Sequence, residues 1–121
     1  MLGPAFYRAF DFDNGPGTVM SKPLEGGTIV VYAGPNPNPL GIASDGSYVY
    51  FTNLGAGATL AQRTNGSVMA CPVGGCSAAG PMVLASGQHN ANAIALDADA
   101  VYFTTAGLGS NDGTVMKVAK P

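Results

Sequence analysis

Few residues of this 121-residue chain have the types and spacing that chemistry requires. The only histidine, His89, lies in the stretch SGQHNANA, and no nucleophile stands beside it with a base and an orienting acid in a recognisable sequence context. Asp45 and Asp97 each follow a short apolar segment. Carboxylates there could ligate calcium, but Asp45 followed by Gly46 also suits a tight turn. We favour the turn, and therefore predict no catalytic residue, no metal site and no cofactor.

The two cysteines form the second candidate group, in the segment CPVGGC. Cys71 and Cys76 enclose a proline and two glycines, so a hairpin can bring their Cα atoms within disulfide range. A half zinc site would need two further ligands, and a redox pair usually has two intervening residues. We predict a disulfide, and hence an oxidising compartment: extracellular, cell-surface or periplasmic. The opening stretch MLGPAFYRAF does not read as a signal peptide.

The composition limits the range of partners. Charged residues make up 10% of the chain, well below the roughly 25% of an average soluble domain. The formal net charge is -2 and the five basic residues are scattered, so no basic stripe is present to neutralise phosphates. No apolar run reaches the roughly 18 residues of a membrane span. We therefore expect neither a nucleic-acid partner nor a membrane span.

The elements that must position these residues are short strands arranged in a repeat. The 18 glycines and nine prolines divide the chain at short intervals, and the segments between them alternate in polarity, which is typical of strands rather than helices. The segment DGSYVYFTN at 45–53 recurs as DADAVYFTT at 97–105. A second motif occurs three times, as GTVM from Gly17, GSVM from Gly66 and GTVM from Gly113. Each unit offers four strand candidates in fixed order, as in a propeller blade.

The repeat also predicts where the units begin and end. The segment AFYRA at 5–9 aligns with VYFTT at 101–105, so the chain begins within a unit. We predict an all-β fold of ten strands: a partial β-propeller of about two and a half four-stranded antiparallel blades, forming a single fragment. The fragment covers 1–121, and its pieces are approximately 1–39, 40–90 and 91–121.

These motifs resemble a family of bacterial secreted β-propeller repeats, similar to the NHL, YWTD and TolB-type propellers. The matching residues are VYFTN at 49–53, VYFTT at 101–105, the G[TS]VM segments and LASGQ at 84–88. Phe51 and Phe103 stand where that family usually has tryptophan. The resemblance implies a propeller fold, and it makes calcium-dependent lactonases the most similar enzymes.

Alternation along VYFT predicts which side chains share a face. Val49 and Phe51 should face one side of the sheet, and Tyr50 and Thr52 the other. Because blades pack face to face, both sides should be core. At the terminal units, residues such as Phe6, Tyr102 or Phe103 should then face water. The expected partners are further propeller blades or a second copy of the chain.

The sequence therefore favours a non-enzymatic propeller segment of a secreted or cell-surface protein, acting as a scaffold or as a ligand- or protein-binding module. The candidate ligand-binding residues are His89, Asn90 and Asn92, in a loop leading into an inner strand, together with Asp45 and Asp97. Their ligand would be a protein or a small molecule. The alternative is a fragment of a calcium-dependent lactonase or gluconolactonase.

Overall fold

The computed structural model describes residues 4–9, 17–23, 30–36, 39–57, 59–76, 80–109 and 111–121, with side chains from Pro39 onward except that of Leu60. Ten strands lie in these ranges: β1 Pro4–Ala9, β2 Gly17–Pro23, β3 Val30–Asn36, β4 Pro39–Ser44, β5 Tyr48–Asn53, β6 Gly66–Pro72, β7 Met82–Gln88, β8 Ala91–Leu96, β9 Ala100–Thr105 and β10 Thr114–Ala119. The only helical element within them is a short 3-10 turn, Leu60–Gln62. The all-β prediction is confirmed.

The strands form three antiparallel sheets that follow chain order. The first sheet is β1-β2-β3, the middle sheet β4-β5-β6-β7, and the last sheet β8-β9-β10. Neighbouring sheets meet through β4, which contacts both β1 and β8. The sheets do not close on themselves over the described residues. No helix in this part of the chain is long and apolar enough to cross a membrane.

The repeated sequence folds with a repeated register. Val49 of β5 lies opposite Cys71 of β6, and Val101 of β9 lies opposite Val118 of β10 in the same relation. The register also shifts at the same place in both sheets. The pairing of β4 with β5 shifts between Pro39 and Ile42, and the pairing of β8 with β9 shifts between Ala91 and Ile94. The motif repeat is therefore a repeat of backbone geometry.

The alternation predicted for VYFT is confirmed on the middle sheet. Val49 and Phe51 are fully buried in a cluster with Cys71 on one face. Tyr50, on the opposite face, is fully buried in a second cluster that also holds side chains of the last sheet. Thr52 is fully buried as well. Both faces of the middle sheet are therefore core, and the second cluster holds the middle and last sheets together.

The expectation of exposed aromatic residues at the end of the repeat is wrong for Phe103. Its ring is only 2% exposed, because it shares the orientation of Phe51 and so points back toward the middle sheet. Tyr102 is half-buried, and the side chain of Phe6 lies outside the described residues. The exposed large apolar residues of the last sheet are instead Val115, at 79%, and Met116, at 41%.

The cysteine prediction is confirmed: Cys71 and Cys76 lie at disulfide distance, with Cα atoms 4.9 Å apart. Cys71 belongs to β6, and Cys76 lies in the turn that follows. The turn is closed by a hydrogen bond from the Gly75 N–H to the Pro72 carbonyl (2.8 Å). Gly75 has a φ of 119°, a conformation that favours glycine.

Cys76→Ser should lower the free energy of unfolding by about 2 kcal/mol, because it reopens a six-residue loop in the unfolded chain. Cys71→Ser should cost more, since it also places a hydroxyl at a fully buried position. Urea unfolding of both variants checks the order. Two thiols that react with an alkylating reagent in unfolded, unreduced protein would show that the bond is absent.

Candidate functional site

The structure places the predicted site residues at two opposite ends of the strands. His89 and Asn90 come immediately before β8, and Asp97 comes immediately after it. A strand of this length spans about 20 Å. Asp45 lies at the same end as Asp97, because Lys120 contacts Asp45 through its side chain and Asp99 through its backbone. The five residues therefore do not form one site.

Asp45 closes the turn between β4 and β5, as the turn interpretation predicts. Its Oδ1 accepts hydrogen bonds from the N–H groups of Ser47 and Tyr48, both at 2.9 Å. Its Oδ2 accepts a hydrogen bond from the Tyr50 hydroxyl at 3.1 Å. The carboxylate therefore joins the turn to a buried tyrosine of the next strand.

Asp97 repeats this arrangement at the turn between β8 and β9. Its Oδ1 accepts from the N–H groups of Asp99 (2.8 Å) and Ala100 (2.7 Å), and its Oδ2 accepts from the Tyr102 hydroxyl (2.6 Å). The hydrogen bond from Tyr102 is the main cause that lowers the pKa of Asp97. The same bond raises the pKa of Tyr102. Aspartate and tyrosine five residues apart are thus a structural pair in both units.

The two aspartate-tyrosine pairs differ in whether a lysine side chain contacts them. Lys120, which follows β10, places its Nζ 2.9 Å from Asp45 Oδ2 and 5.7 Å from the centre of the Tyr50 ring. The hydrogen bond from Lys120 is the largest cause that holds the pKa of Asp45 well below its usual range. Among the described residues, no ammonium group lies within ion-pair distance of Asp97. The Asp45 pair thus joins two sheets, whereas the Asp97 pair stays within one.

Burial, followed by the hydrogen bond to Asp45, raises the pKa of Tyr50 to about 12. An unfolded tyrosine ionises near pH 10, so between pH 10 and 12 only the unfolded state releases this proton. The stability that results is complete below pH 10 and is lost as the pH rises toward 12. We expect Tyr50→Phe to remove this alkaline loss, as measured by urea unfolding of both proteins at stepped pH. Equal alkaline losses in the two proteins would contradict the assignment.

Asn92 was predicted in the loop together with His89 and Asn90, but it lies within β8. It takes part in the contact between sheets through its backbone. The Thr52 hydroxyl accepts from the Gly41 N–H (2.9 Å) and donates to the Asn92 carbonyl (2.6 Å). A Cβ atom on Gly41 would lie 2.5 Å from that carbonyl oxygen. The glycine therefore lets β4 and β8 approach closely. In the last sheet the Thr104 hydroxyl accepts from the Ala93 N–H in the same way (3.1 Å).

Asn90 also has a structural role. It is fully buried with a φ of 60°, a left-handed conformation that asparagine tolerates better than most residues. Its side-chain Nδ2 donates to the Gly107 carbonyl at 2.7 Å, and its backbone carbonyl accepts from the Ala106 N–H at 3.1 Å. The His89 carbonyl accepts from the Gly107 N–H. The segment before β8 is thereby fastened to the loop between β9 and β10.

A polar crevice of about 170 Å³ opens beside His89 and is called the His89 crevice below. The hydroxyls of Thr105 and Thr114 lie 2.5 Å apart within it. Asp112 accepts from the N–H groups of Leu108 and Gly109, and the first of these bonds is the main cause that lowers its pKa. The lining residues are Gly87, Gln88, His89, Thr105, Asp112, Thr114 and Met116.

The chain matches no family model, no curated protein and no solved structure. The chemistry of the His89 crevice therefore follows from its own residues: two hydroxyls, a primary amide, an imidazole and a carboxylate. Such groups form hydrogen bonds with polar ligands. Among the described residues, no group of three or more histidine, cysteine, aspartate or glutamate side chains could hold a metal ion.

Sequence reasoning missed most of this crevice, although a signal for Asp112 was present. Asp112 precedes Gly113, and Asn65 has the equivalent place before Gly66 in the other unit. The side-chain oxygen of Asn65 also closes its loop, by accepting a hydrogen bond from the Ala56 N–H (2.8 Å). The repeat alone could therefore have identified a loop-closing oxygen. Nothing in the sequence marks the two threonines, because they meet only through the pairing of β9 with β10.

The outer side of the last sheet is a second feature, here called the open face: Ala93, Ala95, Tyr102, Thr104, Val115 and Lys117. Tyr102 is half-buried and Val115 is 79% exposed, whereas their counterparts in the middle sheet, Tyr50 and Val68, are fully buried. An apolar groove of about 210 Å³ runs along this face. The last sheet thus leaves uncovered the surface that the middle sheet buries.

Proposed function

We propose that the chain is a non-enzymatic segment of a β-propeller in a secreted or cell-surface protein, where it acts as a scaffold and binding module. The observation that carries the proposal is that the middle and last sheets repeat the same internal hydrogen bonds. Each of the middle and last sheets has an aspartate-tyrosine pair at one end and a threonine hydroxyl bound to its first strand. Residues with the same place in the repeat therefore make the same contacts.

Three features support the propeller in particular. The complete sheet has four antiparallel strands in chain order, as a blade does. The first strands of the middle and last sheets, β4 and β8, lie against each other, as the inner strands of neighbouring blades do. Both faces of the middle sheet are core, which a stacked blade requires.

The disulfide favours a secreted or surface location, because such bonds persist in oxidising compartments. The low charge content agrees with this, since it leaves serine, threonine, asparagine and glycine to cover much of the surface.

We place the binding function at the His89 crevice. Its lining offers donors and acceptors on several strands, and loops at the ends of a rigid scaffold commonly carry function. Asn90 is already used to fasten the loops, so His89 and the Thr105–Thr114 hydroxyls are the contacts we expect for a ligand. The ligand class is a polar small molecule or a polar protein loop.

The test is an NMR titration with monosaccharides and short polar peptides as probes. We expect shifts of the backbone amides of Gln88, His89, Thr105 and Thr114, and loss of these shifts in Thr114→Val, which keeps the shape but removes a hydroxyl. Ser86→Ala, at an exposed position outside the crevice, is the matched control. Shifts confined to other regions, or shifts that Thr114→Val leaves unchanged, would reject this site.

The calcium-dependent hydrolase is the alternative, and the geometry gives it less support. The carboxylates of Asp45 and Asp97 each already accept two backbone N–H groups and a tyrosine hydroxyl. We expect calorimetric titration with calcium to show no binding. Micromolar binding that is lost in Asp97→Ala would favour the lactonase instead.

A further inference from the structure

Three side chains of the His89 crevice have counterparts in the middle sheet at the same places in the repeat. The crevice is lined by Thr105, Thr114 and Met116. Their counterparts are Asn53, Ser67 and Met69. The strand register agrees with this alignment, because Thr105 pairs with Thr114 and Asn53 pairs with Ser67. The two groups of three can therefore be compared residue by residue.

In the middle sheet this place is filled by an amide of the chain itself. Asn53 is fully buried. Its Nδ2 donates to Ser67 Oγ at 3.0 Å and to Met69 Sδ at 3.6 Å. Its Oδ1 accepts no hydrogen bond from the described residues. The amide is thus recognised by two acceptors, a hydroxyl oxygen and a thioether sulfur.

In the last sheet the same acceptors are present without the amide. Thr105 has a shorter side chain than asparagine, and its hydroxyl lies 2.5 Å from the hydroxyl of Thr114. Met116 is 41% exposed and lines the crevice. The Thr114 hydroxyl and the Met116 sulfur therefore border an open space where the middle sheet holds its own amide.

We propose that the His89 crevice recognises a primary carboxamide. The inference rests on the proposed binding function and adds the chemical class of the ligand. Of two hydroxyls bonded to each other, one keeps its proton to donate, and both keep lone pairs. A carboxamide supplies the N–H donors for those lone pairs and the oxygen that accepts the remaining proton. It is therefore complementary to the Thr105–Thr114 pair, as the side chain of Asn53 is to its own neighbours.

The same groups should reject ligands of equal shape and different chemistry. A carboxylate has no N–H to donate, and it would lie near Asp112, whose own carboxylate lines the crevice, so like charges would repel. An apolar group of the same shape would leave the threonine hydroxyls without a ligand partner. The expected selectivity is for the amide over both.

The test is an NMR titration of the full chain with three capped tripeptides that differ only in their central residue: Gly-Asn-Gly, Gly-Asp-Gly and Gly-Leu-Gly. We expect the asparagine peptide to shift the amides of Thr105 and Thr114 and to bind about tenfold more tightly than the other two. Acetamide is the fourth probe. Binding of acetamide as tight as that of the asparagine peptide would support a small amide as the ligand, and weaker binding would support an asparagine of a protein loop.

Two variants connect the selectivity to the crevice. Thr105→Asn copies the middle sheet and places an amide in the open space, so it should abolish binding of the asparagine peptide while amide resonances far from the crevice stay unchanged. Thr114→Val keeps the shape and removes a hydroxyl. It should weaken the asparagine peptide about tenfold and leave the leucine peptide unaffected, which a merely structural role would not do. Ser86→Ala, outside the crevice, is the control.

Equal affinities for the asparagine and leucine peptides, or a preference for the aspartate peptide, would overturn the proposal. Unchanged binding of the asparagine peptide in both Thr105→Asn and Thr114→Val would do the same. Shifts at the crevice with a monosaccharide, without any preference for the amide, would overturn the carboxamide inference alone and leave the proposed function standing.

Discussion

Phe103→Ala is expected to lower the free energy of unfolding by about 3 to 5 kcal/mol, the range found when a buried phenylalanine is truncated in a packed core. The ring is 2% exposed and lies in the cluster that joins the middle and last sheets, together with Tyr50 and Val68. Its removal leaves a cavity between two sheets. The site cannot readily collapse, because backbone hydrogen bonds within each sheet hold the strands in place. Urea-induced unfolding followed by circular dichroism measures the loss.

The matched control is Val115→Ala on the opposite face of the same sheet. Val115 is 79% exposed, and substitutions at such surfaces usually change stability by no more than about 0.5 kcal/mol. The measurement should be made at a concentration where the chain is monomeric. Similar losses for Phe103→Ala and Val115→Ala would mean that the last sheet does not pack on the middle sheet with this face.

The strands and their pairing could be predicted from the sequence because both depend on local patterns. Alternation in VYFT separates Val49 and Phe51 from Tyr50, and the recurring GTVM motif places the next strand in the same register. Alternation does not show on which side of a sheet its neighbour packs. A period of two defines two faces, but it does not say which face meets the neighbouring sheet. Phe103 was therefore expected in water and is instead buried.

The candidate site was less predictable, because it depends on which ends of the strands come together. Asn90 and Asp97 are only seven residues apart, and in sequence they look like parts of one site. The intervening residues form the extended strand β8, which carries them to opposite ends. In contrast, Thr105 and Thr114 meet only through antiparallel pairing. That they line one crevice with Gln88 and His89 depends on the packing of the sheets, which no local sequence pattern encodes.

The close approach of β4 and β8 leads to the second large effect, in Gly41→Ala. Replacing glycine by alanine within a strand ordinarily stabilises it, by roughly 0.5 to 1 kcal/mol. Here the new Cβ would lie 2.5 Å from the Asn92 oxygen and 3.1 Å from both Ile94 Cγ2 and Thr52 Oγ1. The backbone oxygen cannot turn away, so the two sheets must separate. We expect a loss of about 3 kcal/mol, at the upper end of the usual cost of overpacking.

Ala93→Gly is the control, because Ala93 has the same place in the last sheet but is exposed and has no strand against it among the described residues. It should be slightly destabilising, by roughly 0.5 to 1 kcal/mol. Strand propensity alone predicts that Gly41→Ala raises the free energy of unfolding, whereas the close contact with β8 predicts that it lowers it. Equilibrium unfolding in urea gives both values, and a stabilised Gly41→Ala protein would show that β4 and β8 do not approach closely.

A double-mutant cycle that combines Gly41→Ala with Thr52→Val tests whether separating β4 from β8 breaks the hydrogen bond from Thr52 to Asn92. Thr52→Val removes the hydroxyl that accepts from the Gly41 N–H and donates to the Asn92 carbonyl. It leaves the part-buried Gly41 N–H without that partner. If the alanine at position 41 pushes β8 away, the bond from Thr52 to Asn92 is already lost in Gly41→Ala. Adding Thr52→Val should then cost clearly less than it costs alone, a coupling of about 1 kcal/mol. Strictly additive losses would mean that β4 accommodates the methyl group within its own sheet and that the contact with β8 survives.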